Sequence, residues 1–134
     1  MWSIILSMEQ KKKILIIDDD PQIVESAKTM LQESGYIIWM ANDAEEALRK
    51  IKDFNPDLIL LDLVLPDQSG FKVAQKLKSL ALYQNIPIIA ISLKTEDIDK
   101  HIAVKSGIAV YLEKPIDNAR LLYYIRDILK QEIR

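Results

Sequence analysis

The sequence predicts an α/β fold in three layers, in which a five-stranded parallel sheet carries helices on both faces. Five short apolar runs alternate along the chain with segments of helical periodicity, the pattern of five consecutive strand–helix units. The runs are continuously apolar, which is typical of strands buried on both faces. The chain has 134 residues, whereas a closed eight-unit barrel needs about 250. We therefore expect one open-sheet domain with right-handed crossovers.

The first strand–helix unit is marked by an apolar run that ends in acid. Lys13–Asp18 is predicted to be the first strand. Asp20 is suited to cap the following helix, with Pro21 in its first turn and Gly35 at its end. The inner stripe of this helix is predicted to consist of Ile23, Ala27, Met30 and Leu31.

The second unit has a strand at Tyr36–Met40 and a helix that either Asn42 or Asp43 caps. Asn55-Pro56 ends this helix, and the third strand follows at Asp57–Leu61. The inward face of the helix is predicted to contain Ala44, Ala47, Leu48, Ile51 and Phe54.

A loop rich in turn-forming residues separates the third strand from the third helix. It contains Pro66, Asp67, Ser69 and Gly70. The fourth strand is predicted at Pro87–Ile91. The inward face of the third helix is predicted to contain Phe71, Ala74, Leu77 and either Leu80 or Ala81.

The last two units are shorter. The fourth helix is predicted from about Glu96 to Ser106, where Gly107 stops it, and the fifth strand at Ala109–Leu112. Asp117 is suited to cap the last helix. Leu121, Leu122, Ile125, Ile128 and Leu129 recur in this helix at helical spacing.

Composition excludes several kinds of site. The chain has no cysteine, one histidine (His101) and a formal net charge of −2, which excludes disulfides and multi-histidine metal centres and argues against nucleic-acid binding. The apolar stretch Met1–Met8 is too short to span a bilayer. Residues 1–12 are therefore interpreted as an extension and residues 13–134 as the domain, which we expect to be cytoplasmic and not to bind membranes.

The apolar runs end in residues that can carry chemistry. Asp18-Asp19 follows the first run, Asp62 the third, Ser92 the fourth and Lys114 the fifth. In a parallel sheet these ends meet at one edge, where ligands bind. Three carboxylates and one ammonium sum to −2, the charge that one Mg²⁺ balances, and hard oxygen ligands suit that ion. This edge of the sheet is therefore a predicted metal site.

At this point the chain resembles a known family, the receiver domain of response regulators. The segments that carry the resemblance are ILIIDDDP, PDLILLDLVLPDQSG, PIIAIS and YLEKP, in this order, and it covers about residues 13 to 132. It implies a flavodoxin-like strand order of 2-1-3-4-5. It also implies a phosphoryl group taken onto Asp62 from a histidine kinase or phosphotransfer protein, in a signalling module more than a turnover enzyme.

The resemblance also assigns roles to the residues around Asp62. Asp19 would bind Mg²⁺ directly, Asp18 would bind it through water, and the backbone carbonyl of Val64 would be a further ligand. Lys114 would pair with Asp62 and later with a phosphoryl oxygen. The Lys114–Pro115 peptide bond would be cis.

A switch is implied as well. Ser92 matches the hydroxyl that contacts the phosphoryl group, and Tyr111 the aromatic residue that moves with it. The family's usual output face is formed by the fourth helix, fifth strand and fifth helix. The residues that would contribute there to an output-domain contact or a homodimer are Ile108, Tyr111, Tyr123 and Tyr124, although some of them would equally suit inward packing.

Two positions near Asp62 depart from the family's usual pattern. Leu93 follows Ser92, where a small residue is usual, and would crowd the site. Val64 is apolar and cannot position a hydrolytic water. Lys94 would be able to reach the rim of the site. We therefore expect a long-lived phosphoryl group.

Three alternatives remain open from the sequence. A haloacid-dehalogenase-like phosphatase also uses a nucleophilic aspartate, and Asp18 and Asp20 have its two-residue spacing. A flavin-binding module shares the strand order, but the acids after the first strand would repel its phosphate. The third alternative is an interaction module that works without phosphorylation.

Overall fold

The predicted parallel sheet is confirmed. The computed structural model of the protein describes residues 11–93, 95 and 98–131. Five parallel strands pair in the order β2-β1-β3-β4-β5. The strands are β1 (Lys13–Ile17), β2 (Ile37–Ala41), β3 (Leu58–Asp62), β4 (Ile88–Ser92) and β5 (Val110–Glu113). The helices are α1 (Pro21–Glu33), α2 (Ala44–Phe54), α3 (Gly70–Ser79), α4 (Lys100–Ser106) and α5 (Asn118–Ile128).

Two apolar clusters cover the two faces of the sheet, because successive side chains of a strand point in opposite directions. Ile14 and Ile16 of β1 belong to the cluster beneath α1 and α5. Leu15 and Ile17 belong to the cluster beneath α2 and α3. All four side chains are at most 1% exposed, as predicted for a strand covered on both faces.

Strands β2 to β5 begin and end one residue later than predicted, and β1 ends at Ile17. The reason is the hydrogen-bonded register, which the apolar pattern does not specify: Asp62 pairs with Ile91, and Ser92 pairs with Glu113. The shift carries the polar residues Asp62 and Ser92 into the last positions of their strands. Both side chains are therefore held by the rigid ladder at the edge of the sheet.

Carboxylate caps begin α1, α2 and α5 where the sequence predicts them. Asp20 accepts hydrogen bonds from the amides of Gln22 and Ile23 at the start of α1. Asp43, not Asn42, caps α2 by accepting from the amide of Glu46. Asp117 caps α5. Helix capping, the role predicted for Asp20, is thus confirmed.

Some predicted bounds and inward positions are wrong. Helix α4 begins at Lys100 and not near Glu96, because the Asp99 carboxylate caps it by accepting two backbone amides; Glu96 itself lies outside the described residues. Helix α3 ends at Ser79, so Leu80 leaves the inward face and is 38% exposed. Ala81 is exposed as well.

Inward positions that the periodicity missed are filled by valines. Val24 is buried in α1 and Val73 in α3, whereas Ile23 is only half-buried. Phe71 is half-buried as well. An apolar stripe is broader than the few positions that best fit its period, so its centre is easily misplaced by one residue.

The proposed division into an extension and a domain stays a prediction, because residues 1–10 and 132–134 lie outside the described part. Within the residues described, no helix combines the length and the apolar character needed to cross a bilayer.

Candidate functional site

Three carboxylates converge at the carboxyl edge of the sheet. Asp62 ends β3, and Asp18 and Asp19 follow β1, which is paired with β3 through Ile17 and Leu61. One oxygen from each of the three acids lies within 4.8 Å of the others. The parallel pairing of β1 and β3 thus brings together acids that are more than forty residues apart in the sequence.

The three acids differ in burial and in their partners. Asp18 is 2% exposed and Asp62 is 4% exposed, whereas Asp19 is open to solvent. The amide of Asp20 donates to Asp18 Oδ1 at 2.9 Å, but Asp18 Oδ2 is buried and accepts no hydrogen bond from the residues that the structure describes. Burial, together with the nearby charge of Asp62, raises the pKa of Asp18 from 3.8 to about 6. A buried oxygen that lacks a donor is suited to a cation.

Lys114 supplies positive charge to the site. Its Nζ lies 3.0 Å from Asp62 Oδ2 and 3.6 Å from Asp18 Oδ2. Burial lowers the pKa of Lys114, but the hydrogen bond to Asp62 and the charges of both acids outweigh it and raise the pKa. The Lys114–Pro115 bond is cis, as the resemblance implies. A charged lysine is therefore held against Asp62.

The segment after Asp62 is fixed tightly to the end of β3. Asp62 Oδ1 accepts a hydrogen bond from the amide of Val64 at 2.9 Å. The loop closes where the amide of Gly70 donates to the carbonyl of Leu63. A Cβ at Gly70 would stand 2.4 Å from the carbonyl oxygen of Asp62, so only glycine fits here. The first residue of α3 thus rests directly on the backbone of Asp62.

Ser92 and Leu93 lie at the neighbouring strand end. Ser92 is half-buried, and its carbonyl accepts a hydrogen bond from the amide of Lys114. Leu93 is 73% exposed, and Val64 is 72% exposed. Two apolar side chains thus stand open at the acidic edge, while the predicted contribution of Lys94 falls on a residue outside the described part.

A cleft opens beside Lys114 between α1 and the start of α5. Its volume is about 580 Å³. Ile23 and Ser26 of α1 form one wall, and Ile116, from the segment that follows β5, forms part of the other. Leu93 lies at one side of the cleft. The cleft is therefore a partly apolar approach to the acidic edge.

The four residues predicted for the output face differ in their exposure and packing. Tyr123 is 50% exposed. Tyr124 packs against one apolar cluster and Ile108 against the other. Tyr111 is half-buried, and its hydroxyl lies 3.1 Å from the hydroxyl of Ser106.

Sequence reasoning missed the structural roles of three residues, of which only Gly70 contacts the backbone of Asp62. From the sequence, Gly70 resembles an ordinary loop glycine, Ser106 a helix-terminal serine and Asp67 a turn residue. Asp67 in fact accepts hydrogen bonds from the amides of Ala44 and Glu45, which begin α2. These backbone amides hold the pKa of Asp67 below its usual value. Each role depends on a partner at least five residues away in the sequence, which no local pattern reveals.

The chain matches known proteins over most of its length. The family model for the response regulator receiver domain matches residues 14–126. The alkaline phosphatase synthesis transcriptional regulatory protein PhoP of Bacillus subtilis is 36% identical over 90% of this chain and 49% of its own length. The DNA-binding response regulator MtrA of Mycolicibacterium smegmatis is 31% identical over 90% of this chain and 52% of its own length.

A solved structure agrees with the fold. The crystal structure of a two-component response regulator from Clostridium difficile superposes with a TM-score of 0.83 at 33% identity, over 90% of this chain and 97% of that one. The chain spans about half the length of PhoP and of MtrA. With the sheet order and the family match in agreement, the chain belongs to the response regulator receiver domain family of two-component signalling.

Proposed function

We propose that Asp62 is the phosphoacceptor of a phosphorylation-controlled switch and that a phosphohistidine of a histidine kinase or phosphotransfer protein is the donor. The observation that carries this proposal is the contact of 3.0 Å between Lys114 Nζ and Asp62 Oδ2, beside two further acids. An oxygen of Asp62 forms a bond to phosphorus while the phosphorus–nitrogen bond of the donor breaks and the imidazole keeps the electron pair.

The acidic edge fits the Mg²⁺ ion that this chemistry uses. Asp18, Asp19 and Asp62, with the carbonyl of Val64, would hold the ion, and the donor-free Oδ2 of Asp18 supports this assignment. Bound there, the ion would neutralise charge on the phosphoryl oxygens. The described part of the site offers carboxylates and no thiolate or imidazole, which is the ligand set of a hard cation.

Lys114 and Ser92 act on the transferred group. Lys114 holds Asp62 before transfer, and its ammonium can then pair with a phosphoryl oxygen in place of the carboxylate oxygen that has reacted. Ser92 ends the adjacent strand, so its hydroxyl can donate to another phosphoryl oxygen. These contacts would bias Ser92, Tyr111 and the face of α4, β5 and α5 as a population shift.

The cleft beside Lys114 is the expected approach for the donor. Ile23, Ser26 and Ile116 line it, and the site lysine forms part of its wall. A phosphohistidine carried on another protein can reach Asp62 only from the open edge, which this cleft adjoins. The α4–β5–α5 face remains available for an output domain or for a second copy of the chain.

The direct test is incubation with a small-molecule phosphodonor and Mg²⁺, followed by intact mass. We expect a gain of one phosphoryl group in the native chain and none in Asp62→Asn, because the amide is not a nucleophile. Asp43→Asn, which alters a helix cap, is the matched control and is expected to label normally. No adduct in the native chain, or an adduct that persists in Asp62→Asn, would mean that the domain works without phosphorylation of Asp62.

The lifetime of the phosphoryl group is a separate prediction. Val64 and Leu93 are exposed and apolar, so neither orients a water toward the phosphorus atom. We expect Val64→Asn to speed loss of the adduct by about tenfold, because an amide can position that water. Leu93→Ala, which only opens space, is expected to have a smaller effect. The decay is followed by intact mass, and native decay within seconds would contradict this prediction.

The phosphatase alternative lacks support in the geometry. Its second aspartate would be Asp20, whose Oδ1 accepts the amides of Gln22 and Ile23 and is therefore committed to capping α1. Asp18, its nucleophile, is buried. We propose instead that the catalytic activity of this chain is limited to its own phosphorylation and dephosphorylation.

A further inference from the structure

The hydroxyl of Ser106 lies in the interior of the protein and has three partners. Ser106 ends α4 and is 0% exposed. Its Oγ donates to the carbonyl of Ala103 at 2.6 Å and accepts from the amide of Ile108 at 3.3 Å. The hydroxyl of Tyr111 lies 3.1 Å away. These contacts lie apart from the acidic edge of the sheet.

The short contact of 2.6 Å between Ser106 Oγ and the carbonyl of Ala103 indicates the direction of the bond between the two hydroxyls. A serine hydroxyl has one hydrogen to donate and two lone pairs to accept with. The hydrogen of Ser106 is used on Ala103 and one lone pair on Ile108, which leaves one lone pair. Tyr111 is therefore the donor, and its other acceptor, the carbonyl of Ala103, is farther away at 3.4 Å.

The ring of Tyr111 also lies against Phe71, in the first turn of α3. Its centroid lies 6.3 Å from that of Phe71, with the rings tilted by 38°. Phe71 follows Gly70, which rests on the carbonyl oxygen of Asp62. The tyrosine thus lies between the last turn of α4 and the first turn of α3.

We infer that Ser106 is a latch for Tyr111: its buried hydroxyl accepts the tyrosine hydrogen and holds the ring inward against α4. A net hydrogen bond of this kind changes an equilibrium by roughly fivefold. The latch favours the inward over the outward position of Tyr111 by that factor. This inference rests on the proposed function only in giving the movement of Tyr111 a signalling role.

The test uses the full chain labelled with 3-fluorotyrosine and observed by fluorine NMR. The chain has five tyrosines, and the Tyr111 signal is the one lost in Tyr111→Phe. In Ser106→Ala we expect this signal to shift toward the solvent-exposed value and to gain a larger shift between H₂O and D₂O. Roughly a fivefold rise in the outward-to-inward ratio is expected.

Ser79→Ala is the matched control. Ser79 ends α3 and makes the same local bond, from its Oγ to the carbonyl of Lys76 at 2.6 Å, but it is exposed. We expect its loss to leave the Tyr111 signal unchanged. An unchanged Tyr111 signal in Ser106→Ala, with native circular dichroism, would overturn the latch, and so would an equal shift in Ser79→Ala.

These measurements need no phosphorylation, so they are independent of the test of Asp62. If Asp62 is phosphorylated but the Tyr111 signal is unchanged in Ser106→Ala, the latch alone is refuted. A protein whose Tyr111 signal responds to Ser106 but which takes no phosphoryl group would refute the proposed function alone.

Discussion

Asp18→Asn is expected to stabilise the metal-free protein at neutral pH while removing most of its response to Mg²⁺. Asp18 is 2% exposed, its Oδ2 has no hydrogen-bond donor among the described residues, and burial raises its pKa to about 6. At pH 7.5 the native state therefore holds a buried charge that unfolding would return to water. Asparagine is neutral and of similar size, so it avoids this cost.

The effect has a definite dependence on pH. A carboxyl whose pKa is raised by folding stabilises the native state below its unfolded value of 3.8, and this contribution is lost as pH rises through about 6. The difference in unfolding free energy between Asp18→Asn and the native chain should thus grow by about 2 kcal/mol from pH 4 to pH 7.5. Urea unfolding in a chelator measures this difference.

Magnesium should reduce the stability advantage of Asp18→Asn over the native chain. At about ten times its dissociation constant the ion should stabilise the native chain by about 1.4 kcal/mol and Asp18→Asn by much less. Asp20→Asn is the matched control, because asparagine caps a helix about as well as aspartate; its stability should change by less than about 0.5 kcal/mol. A difference between Asp18→Asn and the native chain that stays flat from pH 4 to 7.5 would contradict the assigned cost of burial.

Gly70→Ala is expected to lower the free energy of unfolding and to slow the phosphorylation of Asp62. The new Cβ would meet the carbonyl oxygen of Asp62 at 2.4 Å and the Cα of Leu63 at 2.7 Å, and both are backbone atoms that cannot rotate away. Overpacking of this kind costs about 1–3 kcal/mol. Because relief requires α3 and the end of β3 to separate, labelling of Asp62 should also slow by on the order of a hundredfold.

Gly35→Ala separates crowding from backbone strain. Gly35 has φ of 97°, and a Cβ added there would meet no atom of the described residues within 4 Å. Alanine at this position should therefore cost about 1–2 kcal/mol through its backbone conformation and leave labelling unchanged. Urea unfolding and timed intact mass compare the two variants. If Asp62 is phosphorylated in Gly70→Ala at the native rate, the close approach of α3 does not position Asp62.

Most of the fold could be predicted because local signals agree. Buried strands are continuously apolar, and Asp20, Asp43 and Asp117 each stand where a capping carboxylate begins a helix. The strand ends could not be placed to the residue, since register depends on partners in other strands. The start of α4 cannot be placed from the sequence for a related reason: several polar residues precede it, and only three-dimensional geometry selects Asp99.

The site also has features that the sequence predicts and features that it does not. Asp18, Asp19, Asp62 and Lys114 follow apolar runs, so topology alone predicts their meeting, and the structure places them together. The unequal burial of Asp18 and Asp19 could not be predicted, because both follow the same strand. The roles given to these residues remain predictions for the labelling experiment.

Asp67 has a consequence for how the domain assembles. Helix α2 begins with three amides that need acceptors; Asp43 serves that of Glu46, but those of Ala44 and Glu45 are served by Asp67, more than twenty residues later. The first turn of α2 is therefore completed only after β3 and its following loop have been added to the sheet. During synthesis, this helix depends on a segment that has yet to be made, so its first turn becomes fully ordered late.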